Sequence, residues 1–380
     1  MYGLYITGRN KGNKADGVEK KIQSQIAAFE KKNIKMDILY ENYKDYPFSR
    51  LLKYVPIFSK QLNISDIEKL GKYDFIYMRK PIIDFNLIIL LKRIKKLSPT
   101  TTCIMEIPTY PYDKEFQVKF TQRYLGMKDK FWRQYLNKSL DYIVTYSNDA
   151  KIFDIPTIRV SNAADYENIK QKTSKFNTDN SITMTAIANF QSFHGYDRLI
   201  KGIAQYYSEG GDWAIRLNLI GNGNTTVLNS YKSMISNSNL EGIIKVLPGM
   251  DSQELDTVFD TTDLAVDTLA RFRSGVYYNS TLKGKEYLAR GIPIISGVET
   301  ELDNFENYEY YFRVPADESS INISDILDFY TKVILQSNKT DKEVIQFIRE
   351  FGKKNFNFDK MLEPVINKIK SKEKQTNLKE

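Results

Sequence analysis

Arg273-Ser-Gly-Val-Tyr-Tyr-Asn-Ser-Thr-Leu-Lys-Gly-Lys-Glu-Tyr-Leu-Ala-Arg-Gly-Ile-Pro-Ile-Ile-Ser296 reads as a polar loop, a short helix, a Gly-Pro corner and the start of a strand. Asn279, Ser280 and Thr281 are all good N-cap residues. Leu282, Tyr287 and Leu288 recur at helical spacing, Gly291 ends the helix and Pro293 opens the next segment. The loop therefore delivers a helix N-terminus, whose free N–H groups and positive dipole end suit an anionic group such as a diphosphate. In a loop-helix-strand unit that terminus lies at the carboxyl edge of a parallel sheet, where open α/β folds take their ligands. The capping pattern by itself favours an ordinary capped surface helix.

Outward from this stretch the chain alternates strands with helices. Ile182 to Ala188, Arg216 to Gly221, Ile243 to Leu247, Thr262 to Asp267 and Pro293 to Ser296 read as five strands of one series. An earlier series comprises residues 2–7, Lys35 to Tyr40, Tyr73 to Arg79, Thr102 to Ile107 and Tyr142 to Tyr146. Helical stretches between them, among them Val18 to Lys31 and Asn86 to Leu97, predict two parallel sheets with crossover helices. The polar, strand-poor segment Gln171 to Ser181 suits a linker. The expected domains are 1–170, 181–345, terminal helices over 346–369 and a disordered tail over 370–380.

Composition narrows the class. With 380 residues and 42% hydrophobic content the chain has room for two cored domains. Its one cysteine, Cys103, excludes an internal disulfide and fits a buried structural thiol in a reducing compartment. A single histidine, His194, rules out a multi-histidine metal site. No secretory signal is visible, and the longest aliphatic run, Leu87 to Leu91, is far too short to span a bilayer. The net charge of +8 favours anionic partners. With no zinc-finger, RNP-like or helix-turn-helix pattern, nucleic acid is not among the expected ones.

Ser-Thr-Leu-Lys-x-Lys-Glu-Tyr-Leu-Ala-x-Gly-x-Pro, at Ser280 to Pro293, resembles the nucleotide-sugar segment of retaining GT-B glycosyltransferases of family 4 and their relatives. These relatives build bacterial capsule, exopolysaccharide and O-antigen. The resemblance covers most of the chain and is strongest from Ala188 to Ser296. It implies two Rossmann-like α/β domains, an acceptor domain followed by a donor domain, with the terminal helices crossing back to the first. Glu286 would hold the nucleotide ribose, while Ser280, Thr281, Leu282 and Lys283 would face the donor sugar and diphosphate. Gly221, in Leu219-Ile-Gly-Asn-Gly-Asn224, matches the Gly-x-Gly turn of donor domains. Gly17 closes the loop that approaches the donor phosphates, or is an ordinary turn glycine.

Two departures from the family pattern stand out. Where the family carries an Arg and then Lys-Gly, this chain has Asn189 and His194-Gly195. His194 would then donate to phosphate, or be a satisfied structural histidine, and Arg271, Arg273 and Lys283 are the substitute cations. At the first position of the family's E-x7-E pair stands Tyr278, so Ser274, Gly275 and Tyr277 are expected to take over sugar contacts. In the first domain Glu106 and Asp113, after a strand, are the candidates to orient the acceptor or serve as general base. Their alternatives are a buried paired carboxylate and a helix-capping one.

Three basic, apolar segments, Phe48 to Lys60, Asn86 to Leu97 and Lys114 to Lys138, either lie on an anionic membrane surface or pack as core with solvated lysines. The resulting expectation is a metal-independent, cofactor-free hexosyltransferase acting with retention. It would move a sugar from a UDP-hexose or UDP-HexNAc to a saccharide or lipid-linked saccharide, at the cytoplasmic face of the membrane. The alternatives are a non-catalytic GT-B-like subunit that binds glycan or supports a partner transferase, and a GT-B sugar-nucleotide epimerase.

Overall fold

The computed structural model describes residues 1–8, 17–40, 67–117 and 120–377. The basic segment Phe48 to Lys60 and most of the loop before Gly17 lie outside them. The chain forms two compact units, Met1–Ser161 with the terminal stretch from Phe358, and Asn162–Asn357. The boundary thus falls near residue 161, before the expected linker at 171–181.

In unit 1, β1 (Tyr2–Thr7), β2 (Lys35–Tyr40), β3 (Phe75–Arg79), β4 (Thr102–Ile107), β5 (Tyr142–Thr145), β6 (Lys151–Ile152) and β7 (Ile155–Arg159) form one sheet ordered 2-1-3-4-5-7-6. All neighbours are parallel except the β6–β7 hairpin. Its helices are α1 (Gly17–Lys31), α2 (Phe85–Leu97), α3 (Phe120–Trp132) and α10 (Phe358–Asn377). Central strands buried on both faces read as continuous apolar runs. After Thr102, β4 obeys this at every position but Glu106, which is fully buried like its neighbours.

In unit 2, β8 (Ser181–Ile187), β9 (Ala214–Ile220), β10 (Ile244–Leu247), β11 (Leu264–Val266), β12 (Ile294–Ser296) and β13 (Tyr311–Arg313) make an all-parallel sheet ordered 10-9-8-11-12-13. Around it lie α4 (Tyr196–Ser208), α5 (Thr225–Asn237), α6 (Ser252–Asp260), α7 (Leu282–Arg290), α8 (Ile323–Tyr330) and α9 (Asp341–Asn355). Helix α7 begins after Thr281, whose hydroxyl accepts from the Gly284 N–H, and stops at Gly291 with φ +78°. A Cβ on Gly291 would come within 2.5 Å of the Ile345 carbonyl of α9, so glycine lets these two helices meet.

Two expectations about the C-terminus change. Helix α9 belongs to unit 2, so only the chain from Phe358 joins unit 1. Residues 370–377, expected to be disordered, continue α10 as helix to Asn377. Among the described residues no helix is long and apolar enough to cross a membrane.

Candidate functional site

The sheet order of unit 2 reverses between β8 and β11: the chain runs outward from β8 through β9 to β10, then returns to the other side of β8. Loops leaving these two strands diverge and open a crevice at their carboxyl ends. The loop after β8 is Ala188 to Gly195; the one after β11 begins at Asp267 and leads to α7. The Leu269 N–H donates to the His194 carbonyl at 2.8 Å and ties the loops together. Gly195, at φ +69°, permits this: a Cβ there would sit 2.5 Å from that of Ala270.

His194 closes a 3-10 turn over Ser192–His194. Its Nδ1 accepts from the Gln191 N–H at 3.0 Å, so the neutral ring carries its proton on Nε2 and is a donor. The ring stacks on Tyr196 at 5.7 Å between centroids. Burial, then the nearby Lys283 and Arg271, push its pKa well below the ordinary 6.5.

Lys283, in the first turn of α7, reaches back into the same crevice. Its Nζ lies 3.3 Å from the Tyr196 hydroxyl, 3.3 Å from Thr268 Oγ1 and 3.4 Å from Asp267 Oδ1. Burial lowers the pKa of this ammonium and Asp267 opposes the shift. Asp267 is itself buried and accepts from the Thr268 N–H at 2.8 Å and from the Thr281 hydroxyl. One carboxylate thus orients the N-cap, the lysine and the strand end. Thr281 caps Gly284, leaving the N–H groups of Leu282 and Lys283 at the mouth of the helix. The group offers a helix N-terminus, an ammonium and a neutral imidazole donor, which is the equipment for a diphosphate.

The other donor-side candidates are placed differently. Arg273 spans Asp197, with two contacts of 2.8 Å, and Glu318, and donates to the Ser192 carbonyl at 2.8 Å. Its charge is therefore committed within the unit, and it braces the loop that carries His194. Behind this loop Arg198, fully buried, donates to the carbonyls of Leu269, Pro315 and Ser319 and pairs with Asp317 at 3.3 Å. Ser274 bonds the Arg271 carbonyl at 2.7 Å, and Gly275 ends that turn at φ +77°. Ser280 accepts from the Asn162 N–H at 2.6 Å, which anchors the loop before α7. Gly221 is required by backbone crowding, since its Cβ would fall 1.9 Å from the Ala188 carbonyl. Asn189 is exposed on the same loop, and Tyr278 and Glu286 are half-buried on the approach to α7 and within it.

In unit 1 Glu106 lies on β4 beside Arg79 of β3. It accepts from Lys21 at 3.1 Å, Arg79 at 2.8 Å, Tyr77 at 2.6 Å and Gln25 at 2.8 Å. Burial would raise this carboxyl, but Lys21 and Arg79 with the hydroxyl and amide hold it down at about 2. Burial meanwhile brings Lys21 down to about 8, against Glu106. Asp113 is half-exposed and pairs through both oxygens with Arg133, at 2.5 and 3.0 Å, which lowers its pKa. Gly17 is the first residue of α1.

The basic segments also separate. Helix α2 buries Leu87, Ile88, Leu90, Leu91 and Ile94, and its Lys95 pairs with Asp141, so its apolar face is core. Helix α3 instead exposes Met127 and Phe131, at 62% and 53%, beside exposed Arg123 and Lys130. A cavity of about 410 Å³ lies there, lined by Asp113, Phe116, Arg123, Gly126, Met127 and Lys130.

Asp267 and Tyr196 were not among the expected site residues. Asp267, at a strand end, carries the same sequence signal as any turn carboxylate, and only the sheet order shows that it sits beneath the α7 N-cap. Among the described residues no cluster of His, Cys, Asp and Glu is arranged to hold a metal ion.

No family model matches the chain, and no curated protein matches it. Solved structures do. HepE from Anabaena in complex with UDP is 13% identical over 98% of this chain and 100% of its own, with a TM-score of 0.61. Sucrose-phosphate synthase from Thermosynechococcus elongatus is 12% identical over 100% of both chains, with a TM-score of 0.64. The lipopolysaccharide outer core galactosyltransferase WaaB, in its apo form, is 16% identical over 98% of this chain and 100% of its own, with a TM-score of 0.57. HepE has also been solved with UDP-glucose. At these identities the likeness shows the fold, which is that of GT-B glycosyltransferases.

Proposed function

We propose that this GT-B chain is a glycosyltransferase that takes its sugar from a UDP-linked hexose or N-acetylhexosamine and gives it to a saccharide or lipid-linked saccharide. The observation that carries the reading is the convergence of the α7 N-terminus, Lys283 and the neutral His194 ring around Tyr196 at the switch point of unit 2. These groups suit the diphosphate whose charge grows as the sugar–phosphate bond breaks. The anomeric C–O bond to UDP breaks, UDP keeps the electron pair, and the acceptor oxygen bonds the anomeric carbon while losing its proton. No metal ion or cofactor is called for in this scheme.

Retention is the stereochemical course we favour. A carboxylate held at about 2, as Glu106 is, makes a weak base at neutral pH, and Asp113 is engaged by Arg133. In a same-face transfer the acceptor proton can pass to the departing phosphate oxygen, which requires no strong protein base. Glu106 then serves to position Lys21 and Arg79, and Asp113 to orient the acceptor. Calorimetric titration of UDP and UDP-sugars into wild type and Glu286→Ala tests the core of the reading. Micromolar binding lost in the variant supports it; no binding by wild type favours a non-catalytic subunit.

The exposed stripe of Arg123, Met127, Lys130 and Phe131 on α3 supports a site for an anionic membrane at the cytoplasmic face, where a lipid-linked acceptor would be met. Basic residues near such a surface contribute about 1 kcal/mol each. Charge reversal of Arg123 and Lys130 is expected to release the protein from phosphatidylglycerol liposomes in a sedimentation assay. Unchanged sedimentation would remove the membrane from the scheme.

A further inference from the structure

The first part of the loop after β12, residues 297–304, carries three acids, Glu299, Glu301 and Asp303. Two are used inside the fold: Glu301 pairs with Lys285 at 2.7 Å, and Asp303 accepts from the Thr300 N–H at 2.7 Å and pairs with Arg313 at 2.8 Å. Glu299 is half-buried, and its carboxylate has no hydrogen-bond or ion-pair partner among the described residues. A half-buried carboxylate without a partner forgoes stabilisation that its two neighbours obtain.

Its position is defined by the backbone. Glu299 bridges Tyr278 in parallel: its N–H donates to the Tyr277 carbonyl at 3.1 Å and its carbonyl accepts from Asn279 at 2.9 Å. Bridged residues stand side by side at roughly the 4.8 Å spacing of paired strands. The two side chains therefore leave the ladder on one side. Two residues earlier, the Gly297 N–H donates to the Thr268 carbonyl at 2.9 Å, and Thr268 Oγ1 is 3.3 Å from Lys283 Nζ. The loop is thus pinned to the crevice that holds the cationic groups. Tyr278 is the very position at which the chain lacks an expected acid.

We infer that the Glu299 carboxylate receives the hydroxyls of the donor sugar, standing in from the adjacent segment for the acid absent at Tyr278. The inference rests on unit 2 binding a nucleotide sugar. The crevice then has two chemical ends: cations and a helix N-terminus for the diphosphate, and a hydrogen-bond acceptor for a neutral, hydroxyl-rich sugar. A carboxylate accepts charge-assisted hydrogen bonds from hydroxyls and repels a second carboxylate. Neutral hexoses and N-acetylhexosamines are accepted, and uronic acids are rejected.

Titration calorimetry on the full chain tests this with UDP, UDP-glucose, UDP-N-acetylglucosamine and UDP-glucuronate. Wild type is expected to bind UDP and at least one neutral UDP-sugar, and UDP-glucuronate at least tenfold more weakly than that sugar. Glu299→Ala should keep UDP affinity within twofold, which also reports a folded unit 2, and weaken the neutral sugar tenfold or more. Glu299→Gln should narrow the discrimination against UDP-glucuronate, and Tyr278→Glu added to Glu299→Ala should restore the neutral sugar. Equal affinities for the neutral sugar in wild type and Glu299→Ala would overturn the assignment. So would a parallel loss of UDP, which would make Glu299 a support of the loop. Failure of wild type to bind UDP at all would instead overturn the donor-site reading beneath it.

Discussion

His194 and Lys283 are opposite solutions to one problem, donating hydrogen bonds to an anion from a poorly solvated crevice. The imidazole stays neutral because burial, Lys283 and Arg271 oppose its protonation, and the Gln191 N–H fixes which nitrogen donates. The sign of the consequence is definite. A histidine whose folded pKa lies below the unfolded 6.5 binds fewer protons folded than unfolded, so its stabilisation is present above that value and lost as pH falls. Below pH 6.5 it costs about 1.4 kcal/mol per pH unit until the folded group titrates. Thermal unfolding from pH 7.5 to 5.5 should therefore show a steeper loss in wild type than in His194→Gln; equal slopes would contradict the buried neutral ring. Lys283 has Asp267 as its counter-ion against the downward pull of burial, and a charge-assisted bond to phosphate contributes roughly 1.5–3 kcal/mol. Lys283→Ala should weaken UDP about 10–100-fold in calorimetry, and an unchanged affinity would take it out of the donor site.

At the scale of elements, the site exists because two loops meet, and Gly195 is the residue that lets them. Replacing it by alanine imposes the left-handed region on a side chain and places a Cβ against Ala270, for a cost of about 1–3 kcal/mol. Gly210 is the matched control, with φ +89° and no atom within 4 Å of a built Cβ. Gly210→Ala should lose about 1 kcal/mol in denaturant unfolding and bind UDP normally, whereas Gly195→Ala should lose more and bind UDP poorly. Similar behaviour of the two would mean that the loop junction does not matter. The sequence carried the main strands and α7 because apolar runs, Thr281 and Gly291 are local signals. It did not carry β6, of two residues, or β13, of three, which pair only because a neighbour is already in place. Three residues could have capped α7; Asp267, which receives the Thr281 hydroxyl, selects one of them from 14 positions away. The convergence of His194 with Lys283 was implied only by the family resemblance and not by any local signal, since it follows from the order of strands in the sheet.

For the whole molecule, the instructive group is Glu106, an acid within the buried apolar run Cys103 to Ile107 of β4. The sequence could not tell a catalytic carboxylate from a paired one, because Arg79, Gln25 and Lys21 lie 27, 81 and 85 positions away. All of its named partners belong to unit 1, and the crevice with His194 and Lys283 is built wholly from unit 2. The stability that the Glu106 cluster gives unit 1 and the binding of UDP in unit 2 should thus be separable by a single substitution. Glu106→Gln leaves buried Lys21 and half-buried Arg79 without their counter-ion, a defect of roughly 3–5 kcal/mol. The pH dependence follows from the depressed carboxyl: its stabilisation is complete above the ordinary value of 4.5 and is lost as pH falls through about 2. Wild type should accordingly lose stability across that window, and the variant, already destabilised at pH 7, should lack this part of the slope. At a temperature where the variant remains folded, UDP affinity should stay within twofold while unfolding shifts to lower denaturant. Loss of UDP binding together with stability would show that the ion cluster of unit 1 supports the donor crevice as well, and would end the division of labour argued for the two units.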